Sequence, residues 1–478
     1  MSAGSVRIAV VGAGPGGYAA AFRAADVGMQ VTLIDAEPNP GGVCTFRGCI
    51  PSKALLHAAN VLDEARRAAA FGVSFGKPSI DVGKLRAWKD AIVKKQTGGL
   101  GLLARARKVE YVQGRASIVD AKTLGVDTPS GPKRVEADYI IVATGSRPAT
   151  VPGLSIDSPR MLDSTTALEL PDVPKRLLVV GGGYIGLELG TVYAALGSGV
   201  TVVEMTSGLL PGADRDLVAV IAKRMTQTCE AIYLDTKVVE IKDEETGLAV
   251  WFEGTGAPEG GQIFDKVLVS VGRRPNSEIA GLDKTSVEVD ARGFIKVDQQ
   301  RRTAEPSIFA IGDVVGEPML AHKASHEARV AVDAIHGHPA AFEPQAIPAV
   351  VFTDPELAWT GLTESEAQKQ NRPVEIAKYP WAASGRATTI DRPDGLTKLI
   401  IDPDTERVLG AGIVGSGAGE LIGEATLAIE MGALASDLAL TIHPHPTLSE
   451  TLMESAEVFF GQSVHVYKPR KHEPGKSG

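Results

Sequence analysis

Several features that mark particular protein classes are scarce or missing in this sequence of 478 residues. It has only three cysteines, too few for a secreted disulfide scaffold, so a reducing, cytoplasmic location is expected. No apolar run approaches the roughly 18 to 20 residues of a membrane span. The start of the chain lacks the basic segment of a signal peptide. Charges of both signs are interspersed and the net charge is −9, which argues against nucleic-acid binding.

Glycine, in contrast, is abundant, with 53 residues, and some of it lies in two copies of one pattern. Each copy has an apolar strand, a glycine turn, a helix and a second strand that ends in an acid. The glycines are Gly12, Gly14 and Gly17 in the first copy and Gly181, Gly183 and Gly186 in the second. The acids, Asp35 and Glu204, each follow the first glycine of their copy by 23 residues (35 − 12 and 204 − 181).

This order of elements is the fingerprint of a dinucleotide-binding unit. Glycines let the backbone approach a pyrophosphate, the helix start offers N–H groups, and the acid accepts hydrogen bonds from a ribose. One copy alone is equally well explained as a tight turn, but two copies at matched spacing predict two dinucleotides. The charge of Glu204 would repel a 2′-phosphate, which favours NAD over NADP at the second site.

Later segments complete the expected architecture. Strands closing with glycine are predicted at 139–145 and 267–272, and a further strand ends on Asp313, which could hold a polyol hydroxyl or cap a helix. From about residue 344 onward, strands and a helix at 419–431 indicate a third compact part. The expected fold class is α/β, with two Rossmann-like dinucleotide-binding domains and a C-terminal α+β domain.

Two cysteines, Cys44 and Cys49, lie five residues apart just before a helical stretch. On a helix, or a slightly distorted one, this spacing is a little over one turn and can bring the sulfurs together. The helix start and Lys53 would lower a thiol pKa. The spacing alone favours two buried thiols, but the pair follows Asp35 by only nine residues (44 − 35), which favours a redox disulfide beside a bound flavin. The third cysteine, Cys229, is expected to be an inert buried thiol.

A second candidate constellation, near the C-terminus, is open to two interpretations. Residues 447–450 (TLSE) fit a capping box with Thr447 at the N-cap and Glu450 at N3, and the residues alone favour that structural role. In the alternative, His445 is a general base that Glu450 orients.

Several motifs together resemble the flavoprotein disulfide reductases over about residues 7–460. They are the run GGVCTFRGCIPSKALLH at 41–57, both glycine patterns, IFAIGD at 308–313, MLAHK at 319–323 and HPTLSE at 445–450. The resemblance is closest to the branch that oxidises protein-bound dihydrolipoyl groups and reduces NAD⁺. Two departures stand out: Phe46 and Arg47 replace the usual Asn-Val, and Asp35 replaces the usual Glu.

The resemblance implies FAD and NAD as cofactors, no metal, and a set of site residues. The implied catalytic residues are Cys44 as interchange thiol, Cys49 facing the flavin, Lys53 paired with Glu188, and His445 with Glu450. The implied FAD contacts are Gly12, Gly14, Gly17, Asp35, Gly42, Lys53, Ala116, Thr144, Gly145, Asp313, Met319, Leu320, Ala321 and His322. The implied NAD contacts are Gly181, Gly183, Tyr184, Ile185, Gly186, Glu188, Glu204, Val238 and Gly272. A cis His445–Pro446 bond is also implied, while His443 has no role under this alignment.

The resemblance also implies domain limits and partners. The limits are 1–148 completed by 273–345 for FAD binding, 149–272 for NAD binding, 346–466 for dimerisation, and a flexible tail at 467–478. A homodimer is implied because the partner subunit supplies the base. The substrate is then a lipoylated domain in trans, since the FAD pattern already begins at residue 7. It could belong to the acyltransferase of a 2-oxo-acid dehydrogenase complex, the glycine cleavage carrier or another lipoyl protein, and Phe46 and Arg47 suggest an altered partner choice.

Two rival functions remain open from the sequence. A glutathione-type reductase would share the cysteine pair, although it would prefer a basic NADP site where this chain has Glu204. A docking subunit that merely retains FAD is the second rival, and the filled catalytic positions argue against it.

Overall fold

The computed structural model describes residues 5–151, 153–154 and 156–467. The chain divides into two compact units. Unit 1 takes residues 1–175, 240–250 and 263–343, and unit 2 takes 176–239, 251–262 and 344–478. The sequence-based domain limits stay a prediction, and the predicted tail lies, beyond Tyr467, outside the described residues.

The elements follow one another in three stretches of the chain. As far as residue 175 they are β1 (Arg7–Val11), α1 (Pro15–Asp26), β2 (Gln30–Asp35), α2 (Gly42–Arg47), α3 (Cys49–Arg67), α4 (Val82–Ala106), β3 (Glu110–Gln113), β4 (Arg115–Asp120), β5 (Thr123–Thr128), β6 (Gly131–Glu136), β7 (Tyr139–Val142), β8 (Ser146–Pro148), β9 (Met161–Leu162) and α5 (Ser164–Leu168). From 176 to 343 they are β10 (Arg176–Val180), α6 (Tyr184–Leu196), β11 (Gly199–Val203), α7 (Arg215–Thr228), β12 (Ala231–Tyr233), β13 (Thr236–Glu244), β14 (Gly247–Gly254), β15 (Gln262–Phe264), β16 (Lys266–Val269), β17 (Arg273–Pro275), β18 (Ile308–Ala310) and α8 (Ala321–Ile335). The remaining elements are β19 (Ala349–Val351), β20 (Glu356–Gly361), α9 (Glu364–Lys369), β21 (Glu375–Pro380), α10 (Gly385–Thr389), β22 (Leu396–Ile401), β23 (Val408–Gly415), α11 (Ala418–Met431), α12 (Ala435–Leu440) and α13 (Glu450–Phe460).

Unit 1 is built in three layers around a parallel sheet with the strand order β18-β7-β1-β2-β3. Apolar side chains of β1, β2 and β7 are fully buried because both faces of the sheet are covered. Helices α1 and α8 pack on one face through alanines, and Arg23 of α1 pairs with Asp333 of α8 at 2.7 Å. The antiparallel sheet β4-β5-β6 covers the other face.

Unit 2 contains the second glycine pattern and the C-terminal part of the chain. Strands β10, β11 and β12 pair in parallel. Helix α6, most of whose residues are buried, belongs to the same part of the unit. The C-terminal part is an antiparallel sheet with the order β19-β20-β23-β22-β21, packed against α11 and α13 around a core that includes Trp381. The expected fold class, two Rossmann-like parts and a C-terminal α+β part, is therefore confirmed.

A buried lysine joins the two parts of unit 2. Lys398 of β22 has a fully buried side chain, and its Nζ lies 2.7 Å from Asp214, 2.8 Å from Asp216 and 2.9 Å from Glu364. Lys378 of β21 reaches the second oxygen of Asp216 at 2.7 Å. Burial raises the pKa of Asp214, but the hydrogen bond and charge of Lys398 outweigh it and hold this pKa below its usual value.

None of the described helices combines the length and the apolar character that a membrane span needs.

Candidate active site

The first glycine turn has a backbone that side chains would obstruct. Gly12 has φ +98°, and a Cβ there would lie 2.3 Å from the carbonyl oxygen of Ala143. A Cβ on Gly17 would lie 1.8 Å from the carbonyl oxygen of Gly12, so glycine is needed for helix α1 to pack against β1. Among the described residues, no side chain caps the start of α1 at Gly14. The turn therefore offers backbone N–H groups to an anion such as a pyrophosphate.

The two acids hold the two glycine turns in the same way. Asp35 Oδ2 accepts a hydrogen bond from Ala13 N at 2.6 Å, and Glu204 Oε2 accepts one from Gly182 N at 2.7 Å. The second oxygen of each acid accepts a backbone N–H two residues further along, at 2.9 and 2.8 Å. Because a carboxylate has about four lone-pair sites, each acid keeps capacity for ribose hydroxyls. The structure thus adds a turn-fixing role to both acids.

Asp313 lies in a short 3₁₀ turn in unit 1, directly after β18. Its Oδ2 accepts a hydrogen bond from Ser146 Oγ at 2.5 Å, and Arg273 Nε donates to the same Ser146 oxygen at 2.7 Å. The turn is held from its other side by the fully buried Glu327, whose Oε2 accepts a bond from Gly312 N at 2.7 Å. Both arrangements fix the orientation of Asp313.

The remaining predicted FAD residues also lie in unit 1. Thr144 Oγ1 donates to the carbonyl oxygen of Asn276 at 2.7 Å, and Gly145 O accepts from Asn276 N at 2.9 Å. Ala116 lies in β4, and Leu320 is the N-cap of α8, which begins at Ala321. The carbonyl oxygen of Gly272, a predicted NAD contact, accepts a bond from Ala149 N at 3.0 Å, also in unit 1.

The predicted NAD residues of the second pattern lie in unit 2. Gly181 has φ +108°, Gly183 is the N-cap of α6, and Tyr184 begins that helix with an exposed side chain. Glu188 is buried, and its Oε1 accepts a bond from Phe352 N at 3.0 Å. Ile185 and Gly186 lie in α6, and the buried Val238 lies in β13. Lys53 belongs to unit 1 and Glu188 to unit 2, so the pairing of Lys53 with Glu188 stays a prediction.

The cysteine pair lies at the junction of two helices. Cys44 is in α2 and Cys49 is the first residue of α3, with Gly48 between them. A Cβ on Gly48 would lie 2.9 Å from the carbonyl oxygen of Val43, so glycine permits this close turn. The two cysteines are free thiols in this structure and are joined by a hydrogen bond. A break between two helices therefore brings the sulfurs together, in place of the single helix that the sequence suggested.

The electrostatics of the pair differ from the sequence expectation. The hydrogen bond with Cys49, burial and the charge of Cys49 together raise the pKa of Cys44 far above its usual value. The charge of Lys53 acts in the predicted, lowering direction but is outweighed. Cys44 therefore holds its proton more firmly than an ordinary thiol does.

Tyr18 is a neighbour of the pair that the sequence analysis missed. Burial is the main cause that raises the pKa of this tyrosine, and the electrostatic influence of the cysteine pair adds to it. It lies in α1, one residue after Gly17, and its aromatic ring gave no sequence signal beyond that of a core residue.

The segment before the cysteines packs directly on the first glycine turn. Gly41 N donates to the carbonyl oxygen of Ala13 at 2.8 Å. Gly42 has φ +58°, and a Cβ on it would lie only 2.4 Å from the Cα of Gly14. The thiol pair is thereby fixed next to the dinucleotide turn of unit 1.

Substituting Gly42 with alanine should therefore displace the cysteine segment from this turn. The left-handed conformation alone costs alanine about 1–2 kcal/mol, and the collision with Gly14 adds to that cost. We expect Gly42→Ala to lose flavin during purification and to melt at a lower temperature, measured by the 450/280 nm absorbance ratio and by thermal unfolding. Gly28→Ala is the matched control, because Gly28 has φ +86° but open space around its Cβ position. Equal flavin content in the two variants would contradict the packing argument.

In unit 2, His445 and Glu450 form a hydrogen-bonded pair. His445 Nδ1 lies 2.8 Å from Glu450 Oε1, and Glu450 Oε2 accepts a bond from Thr447 N at 2.7 Å. Helix α13 begins at Glu450 and its N-cap is Ser449, so the interpretation of Thr447 as N-cap is wrong. The Glu450 carboxylate thus orients the His445 ring with one oxygen and holds the backbone at Thr447 with the other. The expected cis His445–Pro446 bond is confirmed.

Unit 2 also exposes apolar side chains in the segment that leads to this pair and in helix α11. Ile442 is 95% exposed, and Leu440, Leu427 and Met431 are also largely exposed. His445 itself is 72% exposed. An uncovered apolar patch of this kind, next to an exposed histidine, is typical of a subunit interface.

Comparison with known proteins identifies the family of this arrangement. The family model described as pyridine nucleotide-disulphide oxidoreductase matches residues 6–328, and that of its dimerisation domain matches residues 347–456. The chain belongs to the pyridine nucleotide-disulphide oxidoreductase family. It is thus an oxidoreductase, and the predicted cofactors, FAD and NAD, are those of this family.

Individual members of this family resemble the chain over almost its full length. The dihydrolipoyl dehydrogenase of Vibrio cholerae is 50% identical over 455 residues, covering 95% of this chain and 96% of the relative. That of Geobacillus stearothermophilus is 46% identical over 457 residues, covering 96% and 97%. Among solved structures, LpdA from Mycobacterium tuberculosis has a TM-score of 0.88 at 27% identity and covers 95% of this chain and 99% of its own. The flavoprotein disulfide reductase RclA from Escherichia coli, as its Cu(II) complex, has a TM-score of 0.85 at 27% identity, covering 95% and 100%.

The matched dimerisation domain bears on the exposed patch. It includes the segment that carries Leu440, Ile442 and His445. Together with the relatives, it supports the expected homodimer.

Arg47, one of the two departures from the family motif, makes a specific contact in unit 1. Its guanidinium forms an ion pair with Glu37, two residues beyond Asp35, and lies 5.9 Å from the ring of Phe46. This pair ties the end of helix α2, between the two cysteines, to the loop that follows the acid of the first pattern. The proposed effect of these two residues on partner choice stays a prediction.

Proposed function

We propose that this protein acts as a dihydrolipoamide dehydrogenase, which oxidises protein-bound dihydrolipoyl groups and reduces NAD⁺ to NADH. The observation that carries this proposal is the hydrogen-bonded Cys44–Cys49 pair, held against a dinucleotide turn by Gly42. The relatives described above add support, because those with the highest identity carry this activity in their names.

The residues present fit both dinucleotides. In unit 1, the open helix start at Gly14 and the carboxylates of Asp35 and Asp313 offer contacts for a pyrophosphate, a ribose and a polyol chain. In unit 2, the turn at Gly183 and the carboxylate of Glu204 offer the equivalent contacts for NAD. When bound, FAD would accept two electrons from the dithiol and pass them to NAD⁺ as a hydride.

The side chains of the protein would carry out the thiol chemistry. In the oxidised enzyme, a substrate thiolate attacks Sγ of Cys44, breaks the Cys44–Cys49 disulfide and releases Cys49 as a thiolate. The second substrate thiol then attacks the mixed disulfide, so that cyclic lipoyl disulfide leaves and Cys44 is freed. His445 takes the proton of the attacking thiol, and Glu450 holds its ring and stabilises the resulting positive charge.

The high pKa of the Cys44 thiol is consistent with the last step of this proposed thiol–disulfide exchange. Once both substrate sulfurs have left, the pair holds one proton and one negative charge. The hydrogen bond between the two thiols keeps the proton on Cys44 and the charge on Cys49. The charge thus rests on the sulfur that we assign to the flavin side.

The lipoyl partner is proposed to bind in trans to the homodimer. A lipoylated acyltransferase of a 2-oxo-acid dehydrogenase complex, the glycine cleavage carrier and other lipoyl proteins all present the same dithiol. The proposed catalytic base would come from the partner subunit, in agreement with the exposure of His445 in the single chain.

Initial-rate measurements on the purified yellow protein test this proposal. We expect rapid NAD⁺ reduction by dihydrolipoamide and no appreciable reduction of glutathione disulfide by NADPH. Cys44→Ser should lower the dithiol-dependent rate by at least ~10³-fold, because no interchange thiol remains. Activity only with NADPH and glutathione disulfide would instead establish the glutathione-type reductase.

A further inference from the structure

The two residues that depart from the family motif, Phe46 and Arg47, end helix α2, between Cys44 and Cys49. The Arg47 guanidinium forms a hydrogen-bonded ion pair with Oε1 of Glu37. The side chain of Arg47 is 39% exposed and that of Glu37 is 25% exposed, so the pair is partly shielded from solvent. The valine that the family usually has at position 47 could not form this pair.

Glu37 connects three parts of unit 1. Its backbone N–H donates to Oδ1 of Asp35 at 2.9 Å, and its carbonyl oxygen accepts a bond from the hydroxyl of Tyr111 in β3 at 2.8 Å. Its carboxylate binds Arg47. Glu37 therefore joins the acid of the first glycine pattern and strand β3 to the helix that carries Cys44.

Asp35, in turn, belongs to the first glycine turn. Its Oδ2 accepts a bond from Ala13 N at 2.6 Å, and its carbonyl oxygen accepts one from Gly114 N at 2.8 Å. The acid at this position of a dinucleotide-binding unit accepts hydrogen bonds from a ribose. A shift of the loop at 35–37 would move this carboxylate, so the position of Glu37 bears on the proposed ribose contact.

Helix α2 is attached to the same site at its other end. Gly41 N donates to the carbonyl oxygen of Ala13 at 2.8 Å, and Gly42, where the helix begins, packs against Gly14. The glycine turn thus holds the start of α2, and Glu37 holds its end through Arg47. The short helix that carries Cys44 is fastened at both ends to the proposed FAD site.

A second ion pair in unit 1 has the same composition but a different place. Arg107 Nε lies 2.9 Å from Oδ1 of Asp26, and the Arg107 guanidinium lies 5.0 Å from the ring of Phe22. The exposures of the Arg107 and Asp26 side chains are 31% and 50%. Asp26 is the last residue of α1, at the opposite end from the glycine turn, so this pair offers a matched comparison.

We propose that the Arg47–Glu37 ion pair helps to retain FAD, because it fixes the 35–37 loop, and with it Asp35, from the cysteine segment. Arg47 and Glu37 are positioning residues that act through Asp35. The position of the cysteine helix and the binding of the ribose of FAD are then coupled, and such a coupling acts in both directions. This inference rests on the proposed FAD site in unit 1 and is independent of the disulfide substrate.

Release of FAD from the full-length holoenzyme tests the inference. Release is followed by the fluorescence of free FAD after dilution into a fixed, subdenaturing concentration of urea. Arg47→Val and Glu37→Gln should each accelerate release about three- to fivefold, the scale of a partly exposed ion pair. The double variant R47V/E37Q should release FAD no faster than the faster single variant, because the second substitution removes a contact already lost. Arg47→Lys keeps the charge and should release FAD more slowly than Arg47→Val.

Arg107→Val is the matched control and should release FAD at nearly the wild-type rate. Far-UV circular dichroism in the same urea solution checks that every variant is folded. The inference is overturned if Arg47→Val releases FAD at the wild-type rate, if Arg107→Val accelerates release as much as Arg47→Val, or if the effects of the two single variants multiply in the double variant. Each of these results leaves the proposed function intact, whereas a wild-type protein that binds no FAD would overturn both.

Discussion

Replacing His445 by alanine is expected to reduce kcat/KM for dihydrolipoamide by about 10²–10⁴-fold, the usual contribution of a general base. In the proposed mechanism, the substrate thiol must lose its proton before it attacks Cys44, and Glu450, 2.8 Å away, would hold His445 for this task. The variant should retain FAD and NADH-dependent ferricyanide reduction, because neither needs the base. Turnover with dihydrolipoamide within a few-fold of wild type would show that His445 is not the base.

A complementation experiment distinguishes a base in the same subunit from one supplied by the partner. Cys44→Ser and His445→Ala homodimers should each be inactive with dihydrolipoamide. Random reassociation of the two chains produces heterodimers with one intact site, if the base crosses the interface, and about one quarter of wild-type activity. Glu450→Gln, which keeps the side-chain volume, should lower activity less than His445→Ala. No recovery of activity in the mixture would place base and cysteines in one chain.

Replacing Lys398 by methionine is expected to produce the largest loss of stability. The buried carboxylate of Asp214 and the half-buried ones of Asp216 and Glu364 would lose the ammonium group that lies within 2.9 Å of all three. Breaking a buried ion pair by removing one partner costs about 3–5 kcal/mol. Chemical unfolding followed by far-UV circular dichroism measures this loss. Lys378→Met is the matched control, since Lys378 is 41% exposed and should matter much less.

The loss of stability in Lys398→Met should depend on pH, because it involves the carboxylates of this cluster. The pKa values of Asp214 and Asp216 lie below their usual value because Lys398, with other donors, outweighs the effect of burial. A lowered carboxyl pKa contributes stability that is present above the unfolded value of about 4 and is lost as pH falls through the folded value. The difference between wild type and Lys398→Met should therefore be large at neutral pH and shrink below about pH 4. An equal difference at both pH values would contradict the assignment.

Much of the fold could be predicted because the sequence signals are local. The strand predicted at 139–145 contains β7, and the helix predicted at 419–431 is α11, which begins one residue earlier at Ala418. The antiparallel sheet β4-β5-β6 and the 25-residue helix α4 were not predicted. Their sequences are largely polar or mixed, and their positions depend on packing against a sheet formed by distant residues.

The candidate site was likewise predictable only where its sequence signals are local. The glycines of both patterns and the cysteine pair have fixed spacings, so the sequence located them. Lys398 could not be found in this way, because it interrupts an apolar strand and its partner Asp214 lies 184 residues away (398 − 214).

Unit 2 has a further property that follows from Lys398. Helix α7, with Asp214 before it, follows strands β10 and β11, whereas Lys398 and Glu364 belong to the C-terminal sheet and its flanking helix. The bond from Phe352 N to Glu188 makes a second connection of the same kind. Two segments that match different family models therefore share a charged core, and we expect them to unfold as one cooperative unit. Hydrogen exchange in α7 and β22 would then reflect a single opening event, despite the separation of these elements along the chain.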